Sequence, residues 1–323
     1  MTLKILLALG LLLLGGCAVI DRKADRREAR FEERWPPVGQ FLEVDGRRVH
    51  ALVTGEGPDL VLLHGASGNI RDFTFDFVDR VKDRYRVIVF DRPGLGYTDR
   101  APGTPESIFA ARAESPAAQA AFLKKAADLL GVKDEIVLGH SYGGAVALAW
   151  GLDHDPAALV VLSGAVIPWS GGLGLQYNVL GSPLGGAMIP PVATAFATRG
   201  LIDQTVAEIF KPQPAPEGYV DHVGPGLTLR RETVRANARQ LTDLHGHVSA
   251  MALRYGSLTL PVEIVHGTED DVVPDHVHAG PLSELLPNDT LTLLPNVGHM
   301  PHHAQPQAVV DAIDRAAARA GLR

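Results

Sequence analysis

The chain has 323 residues, 46% of them hydrophobic and 21% charged, a balance that fits a folded globular protein and excludes a disordered or fibrous one. Its formal net charge of −7 and pI near 6.0 argue against nucleic acid as a partner, because phosphate binding calls for a basic patch. With one cysteine in the whole chain, no intramolecular disulfide can form, so a packed core has to supply the stability.

At the amino terminus MTLK places one positive charge ahead of ILLALGLLLLGG, which ends at Cys17. That run is short for a bilayer span and has the plan of a secretory signal: basic start, brief apolar stretch, small residues at the cut. Leu14, Gly15, Gly16 and Cys17 resemble the lipobox of bacterial lipoproteins. The resemblance implies that residues 1–16 are removed and that Cys17 carries lipid, leaving an exported protein on a membrane surface that faces the periplasm or the cell exterior. Two or more acyl chains anchor firmly where one does not. A plain signal peptide or an uncleaved anchor is the alternative. Residues 17–40, dense in charges of both signs and closed by Pro36 and Pro37, read as a solvated tether, with a short exposed helix held by pairs one turn apart as the other reading.

From Phe41 the pattern becomes extended. FLEV, the turn pair Asp45 and Gly46, and RRVHALVTG predict a hairpin. Six short apolar runs follow: DLVLLHG, YRVIVFDRPG, EIVLGHS, ALVVLSG, VEIVHG and TLTLLPNVGH. They are too uniformly apolar for half-exposed strands and predict a mostly parallel sheet covered on both faces. Helical patterns over residues 116–130, 142–152 and about 305–320 lie among them, so the expected class is α/β, with a core formed by residues 41–166 and 259–323. The roughly ninety residues between Ala165 and Pro261 lack a clear strand, far more than an ordinary connection contains. They predict an inserted helical cap over 167–258, whose glycine, proline and apolar side chains suit a mobile, greasy lid.

The stretch VLGHSYGGAVALAWG puts Ser141 where an apolar strand gives way to an alanine-rich helix. A serine on such a tight turn needs small neighbours, and Gly139, Gly143 and Gly144 supply the room. The start of the helix beneath it favours developing negative charge. A hydroxyl is a poor nucleophile at neutral pH and needs a base, which needs an orienting carboxylate. Downstream, at the ends of two predicted strands, VEIVHGTEDDVVP offers Asp270 and TLTLLPNVGHMPHH offers His299.

In this order, Ser141, Asp270 and His299 resemble the catalytic set of the α/β-hydrolase superfamily, and the resemblance covers about residues 41–320. HGASG at 64–68 resembles its oxyanion loop, DRPGLGYT at 91–98 its next turn, and HGTEDDVVP its acid loop. The family spacing selects Asp270 over Glu269 and Asp271, and the GHxP pattern selects His299 over His302 and His303, which read as surface or pocket-rim residues. Ala304 stands where the family often has glutamate. A metal cluster of the three histidines matches no zinc spacing. The resemblance assigns the oxyanion amides to Ala66 and Tyr142 and puts Ser67 and His140 in the pocket lining, with a packing role as the other reading for His140.

The resemblance implies an acyl-enzyme serine hydrolase that needs no metal and no organic cofactor, acting on a small-molecule acyl substrate. A carboxylic ester with an apolar acyl group leads. Hydrolysis of a carbon–carbon bond in a diketone-like compound, or a membrane-tethered binding or sensing protein with little turnover, are the alternatives. Oligomeric state is not readable from the sequence.

Overall fold

The computed structural model describes residues 2–105, 107–110 and 112–323, with side chains from residue 15 onward except that of Gln176. Met1 and the side chains of the apolar run through Leu14 therefore lie outside the described part of the expected signal segment. No helix among the described residues is long and apolar enough to cross a membrane.

The eight strands are β1 (Gln40–Val44), β2 (Arg47–Thr54), β3 (Asp59–Leu63), β4 (Arg86–Phe90), β5 (Ile136–His140), β6 (Ala158–Leu162), β7 (Val262–Gly267) and β8 (Asp289–Leu294). They form one sheet in the order β1-β2-β4-β3-β5-β6-β7-β8. β1 and β2 pair antiparallel, as does β2 with β4, and every later pairing is parallel. The hairpin and all six apolar runs appear where the sequence places them.

Before the long insertion the helices are α1 (Thr2–Arg34), α2 (Arg71–Thr74), α3 (Phe77–Val81), α4 (Pro116–Leu129) and α5 (Tyr142–Asp153). Between β6 and β7 come α6 (Leu175–Gly181), α7 (Pro183–Phe196), α8 (Arg199–Phe210), α9 (Tyr219–Val223), α10 (Pro225–Thr228) and α11 (Arg231–Ala252). The chain closes with α12 (Asp275–Leu285), α13 (Pro301–Ala304) and α14 (Pro306–Arg319).

Alternate residues of each central strand enter opposite cores. Val61, Leu63, Val137 and Val161 pack under α4 and α5, where Trp150 is fully buried. Leu60, Leu62, Leu138 and Val160 pack against α3 and α14 through Phe77, Val309 and Ile313. Both faces are covered, which is why these strands are apolar throughout. β8 departs from that expectation: it is an edge strand, and most of it is only partly buried. Glu263 is the one acid within β7 and is fully buried, accepting from Arg315 at 2.9 Å and Arg319 at 2.7 Å, two residues one turn apart on α14. That pair pins α14 to the sheet.

The charged stretch after Cys17, expected as a solvated tether, is instead the second half of α1 and is docked. Asp21, Asp25 and Glu28 recur on one helix face and all pair with Arg231 at the start of α11, while Glu32 pairs with Arg230 at 2.9 Å. Trp35 is buried, its Nε1 donating to the Asp221 carbonyl at 2.7 Å. The acidic spacing was visible in the sequence, but its partners lie about 200 residues away.

Candidate active site

Ser141 sits between β5 and α5 at φ 53° and ψ −118°. This is a left-handed region that serine rarely occupies, and such strain persists only where the surroundings enforce it. Here they do. A side chain on Gly139 would strike the Gly143 carbonyl, and one on Gly143 would strike the Leu63 carbonyl, so α5 passes against β5 and β3 with no room for a Cβ. A Cβ on Gly65 would lie 3.1 Å from that of Ser141, which brings the 64–68 loop directly beside the serine.

The carboxyl ends of parallel strands converge here, as ligand sites in open α/β sheets do. The loop after β7 carries Asp270 and the loop after β8 carries His299, with Asp270 Oδ2 2.8 Å from His299 Nδ1. Asp270 Oδ1 accepts from the amides of Val272 at 3.0 Å and Val273 at 2.8 Å, and His266 Nε2 lies 3.2 Å from Oδ2. Burial raises the Asp270 pKa, but the hydrogen bonds from His266 and His299 outweigh it and hold the carboxyl well below its usual range. An ionised carboxylate accepts only, so His299 donates from Nδ1, and in the neutral ring that leaves the lone pair on Nε2. Glu269 and Asp271 are exposed whereas Asp270 is buried.

Of the two readings of His140, pocket lining and packing beside the elbow, its burial fits the second. Its ring is 3% exposed, and its Nε2–H donates to the His299 carbonyl at 2.8 Å. Its Nδ1 then holds a buried lone pair without a partner. Burial, with smaller contributions from His302 and His299, holds its pKa well below the ordinary histidine value. The ring is neutral and sits 4.7 Å from that of His302.

His302 and His303 are not rim residues. Both rings face Asp72 of α2, at 3.2 and 2.9 Å, and Tyr219 of α9 donates to the same carboxylate at 2.8 Å. Burial raises the Asp72 pKa but is outweighed by electrostatic interaction with, and hydrogen bonds from, His302 and His303, which hold the carboxyl well below its usual range. Among the described residues Asp72, His140 and His302 are the group that offers metal-ligating atoms close together, within 4.8 Å of one another. The three donors on Asp72 occupy both of its oxygens, whereas Nδ1 of His140 and Nδ1 of His302 are buried without a hydrogen-bond partner.

The 64–68 loop rests on Arg92, which the sequence presented only as part of a turn. It is fully buried and has no carboxylate partner among the described residues. Nε donates to the His64 carbonyl at 2.8 Å, Nη2 to the Gly65 carbonyl at 3.1 Å, and Nη1 to the side-chain oxygens of Gln119 at 2.8 Å and Gln240 at 3.0 Å. Burial lowers its pKa to about 10, which leaves it charged at neutral pH. The Arg92 amide donates to His64 Nε2 at 2.9 Å, so His64 Nδ1 carries the proton and donates to the same Gly65 oxygen at 2.9 Å. Gly65 C=O belongs to the peptide unit whose N–H is that of Ala66, and donors on the oxygen polarise that N–H. The guanidinium also stands 4.3 Å from the centre of the Tyr142 ring. Tyr142 opens α5, where the first amides have no helical acceptor.

Ser67 is exposed at φ 56° and is held from the insertion. Its amide donates to Asn237 Oδ1 at 2.7 Å, its hydroxyl accepts from Asn237 Nδ2 at 2.9 Å, and its carbonyl accepts from Thr228 at 2.7 Å. Nothing in the sequence marked Asn237, because a polar residue on a helix has no local signal for a partner 170 positions away.

The model of the alpha/beta hydrolase family matches residues 60–312. An uncharacterized protein of Mycobacterium tuberculosis is 26% identical over 318 residues, spanning 91% of this chain and 85% of that protein. Among solved structures, an esterase from Rhodococcus sp. ECU1013 has a TM-score of 0.65 at 24% identity, covering 86% of this chain and 98% of its own. A membrane phospholipase A, described as a bacterial virulence factor, has a TM-score of 0.59 at 18% identity and covers 97% and 98%. At these identities the two structures share the fold.

Proposed function

The chain belongs to the alpha/beta hydrolase family, and from that membership we propose that it cleaves an acyl bond, a carboxylic ester with an apolar acyl group, through Ser141 as nucleophile. The observation that carries this reading is the elbow: a serine held in strained backbone at the carboxyl edge of the sheet, with no room for a side chain at Gly139 or Gly143, two positions to either side.

In this reading His299 Nε2 takes the Ser141 proton as Oγ attacks the acyl carbonyl, and Asp270 stabilises the imidazolium through Nδ1. The Ala66 and Tyr142 amides receive the developing oxyanion. His299 then returns the proton to the leaving alkoxide, and a water deprotonated by His299 releases the acid from Ser141. The likeness to an esterase and to a phospholipase suggests an ester as the substrate.

Cys17 is exposed on α1, in keeping with our reading of it as the lipidated first residue of an exported, membrane-held protein. The decisive experiment is turnover of aryl esters graded in acyl length, with Ser141→Ala alongside. Serine-dependent hydrolysis with a chain-length optimum is expected. Undiminished turnover by Ser141→Ala would exclude this nucleophile, and turnover confined to diketone-like compounds would favour carbon–carbon hydrolysis.

A further inference from the structure

Helix α7 is built the wrong way round for water. The face it turns inward carries Gly185, Gly186, Pro190, Thr194 and Ala195, all small or polar apart from the proline. Four of its five large apolar side chains point out: Leu184 and Met188 are each 69% exposed, Val192 45% and Phe196 51%, while Ile189 is partly buried. The four recur every four residues, so they form one stripe along the helix. A stripe of this kind, on a helix that already packs elsewhere, marks a surface that meets an apolar partner.

Charge on the neighbouring helix identifies the partner. Helix α1 packs along α7, and four of its acids and five of its bases turn to different neighbours. Asp21, Asp25, Glu28 and Glu32 turn to Arg230 and Arg231 and are neutralised there. Lys23, Arg26, Arg27, Arg30 and Arg34 turn the other way and line a concavity of about 740 Å³ that Phe196, the last residue of the α7 stripe, also borders. Arg34 pairs with Asp221, but among the described residues no carboxylate is paired with Lys23, Arg26 or Arg30. Lys23 Nζ lies 3.8 Å from the centre of the Phe196 ring, so basic groups and apolar stripe meet at that residue.

We propose that the outer stripe of α7 and the basic side of α1 form one docking face for an anionic lipid bilayer. The face lies flat on the membrane, with Leu184, Met188, Val192 and Phe196 at the headgroup–acyl boundary and the α1 cations on lipid phosphates. The same helix α1 leads back into the apolar sequence run ending at Leu14, so its amino-terminal end and this face are continuous. The inference goes beyond the proposed hydrolysis and requires neither Ser141 chemistry nor lipid on Cys17.

The test uses the full chain with Cys17→Ser and a single new cysteine, Met188→Cys, carrying a polarity-sensitive dye, in vesicles rich in phosphatidylglycerol with brominated acyl chains. The control is Leu129→Cys in the same background. Leu129 is 62% exposed at the end of α4, near the start of β5 and hence at the opposite edge of the sheet from Ser141. A blue shift with bromine quenching at 188 and none at 129 is expected. Adding Arg26→Glu with Arg30→Glu should lower the docking equilibrium at 188 by roughly tenfold or more. An unquenched dye at 188 on vesicle-bound protein, or a chain that does not stay with the vesicles, would overturn the proposal. So would equal quenching with the double charge reversal, or a blue shift that grows with protein concentration without lipid, which would assign the face to a second copy of the chain.

Discussion

His140 donates from Nε2 to the main-chain oxygen of His299 at 2.8 Å, so the residue before the elbow serine holds the backbone of the histidine proposed to deprotonate it. Removing that bond loosens one partner relative to the other without touching substrate. His140→Ala should lower kcat by about 10²-fold, the scale of a small misplacement of reacting groups, with KM nearly unchanged. His140→Gln, which keeps a donor, should recover part of the loss. A variant that loses only thermal stability, with kcat intact, would reduce His140 to packing.

Asp270→Asn should cut kcat by about 10⁴-fold, because the amide no longer selects the Nδ1–H tautomer of His299. The carboxyl is held ionised far below its usual range, so the acid limb of kcat/KM in the unmodified protein should show one proton and no second, carboxylate step above about pH 4. A two-proton limb would contradict the assignment.

Arg92 Nη2 and His64 Nδ1 converge on the Gly65 oxygen at 3.1 and 2.9 Å, polarising the peptide that ends in the Ala66 N–H. Arg92→Met should lower kcat by roughly tenfold, a fraction of what losing a whole oxyanion donor costs, and weaken a boronate or phosphonate transition-state analogue in step with kcat while KM changes little. Equal losses in KM and analogue affinity would mean uniform binding rather than oxyanion support.

Stability should fall steeply on mild acidification. Burial lowers the pKa of His64, His278 and His302 to about 4, whereas an unfolded histidine titrates near 6.5. Below pH 6.5 the unfolded chain binds protons that the folded one refuses, so stability is lost as pH falls from 6.5 towards 4, by up to about 1.4 kcal/mol per pH unit for each ring, and this loss saturates below 4. Urea midpoints at pH 7.5, 6 and 5 measure it, and His278→Asn should flatten the slope by one proton. A flat profile over this range would contradict neutral, buried rings.

Arg231→Ala should release α1 while leaving the sheet intact. Each exposed ion pair is worth about 0–1 kcal/mol, but Asp21, Asp25 and Glu28 share this one guanidinium. Trypsin cleavage within residues 22–34 should accelerate severalfold, with the thermal midpoint little changed. Equal cleavage rates would show that Trp35 and its burial hold the helix alone.

Local signals carried the fold and the elbow. A strand covered on both faces must be apolar at every position, and a serine at a tight strand-to-helix turn must have glycine neighbours, so β3 to β7 and Ser141 were readable residue by residue. β8 was read as a strand correctly and as fully buried wrongly, because being at the edge of a sheet is a property of strand order. The helical insertion was foreseen from the absence of strands in it.

What the tertiary structure decided is everything that depends on a distant partner. The sequence alone determined that this is an α/β chain with a serine elbow, a following acid and a following histidine. Which way His140 points, that His302 and His303 turn inward to Asp72, that Arg92 backs the 64–68 loop, and that the charged segment after Cys17 is a docked helix were decided by groups 27 to 231 positions apart. Charges and rings carry no local periodic signature for partners at that separation. Desolvation then fixes their pairing, because a polar group carried into the core needs whichever donor or acceptor the fold brings beside it.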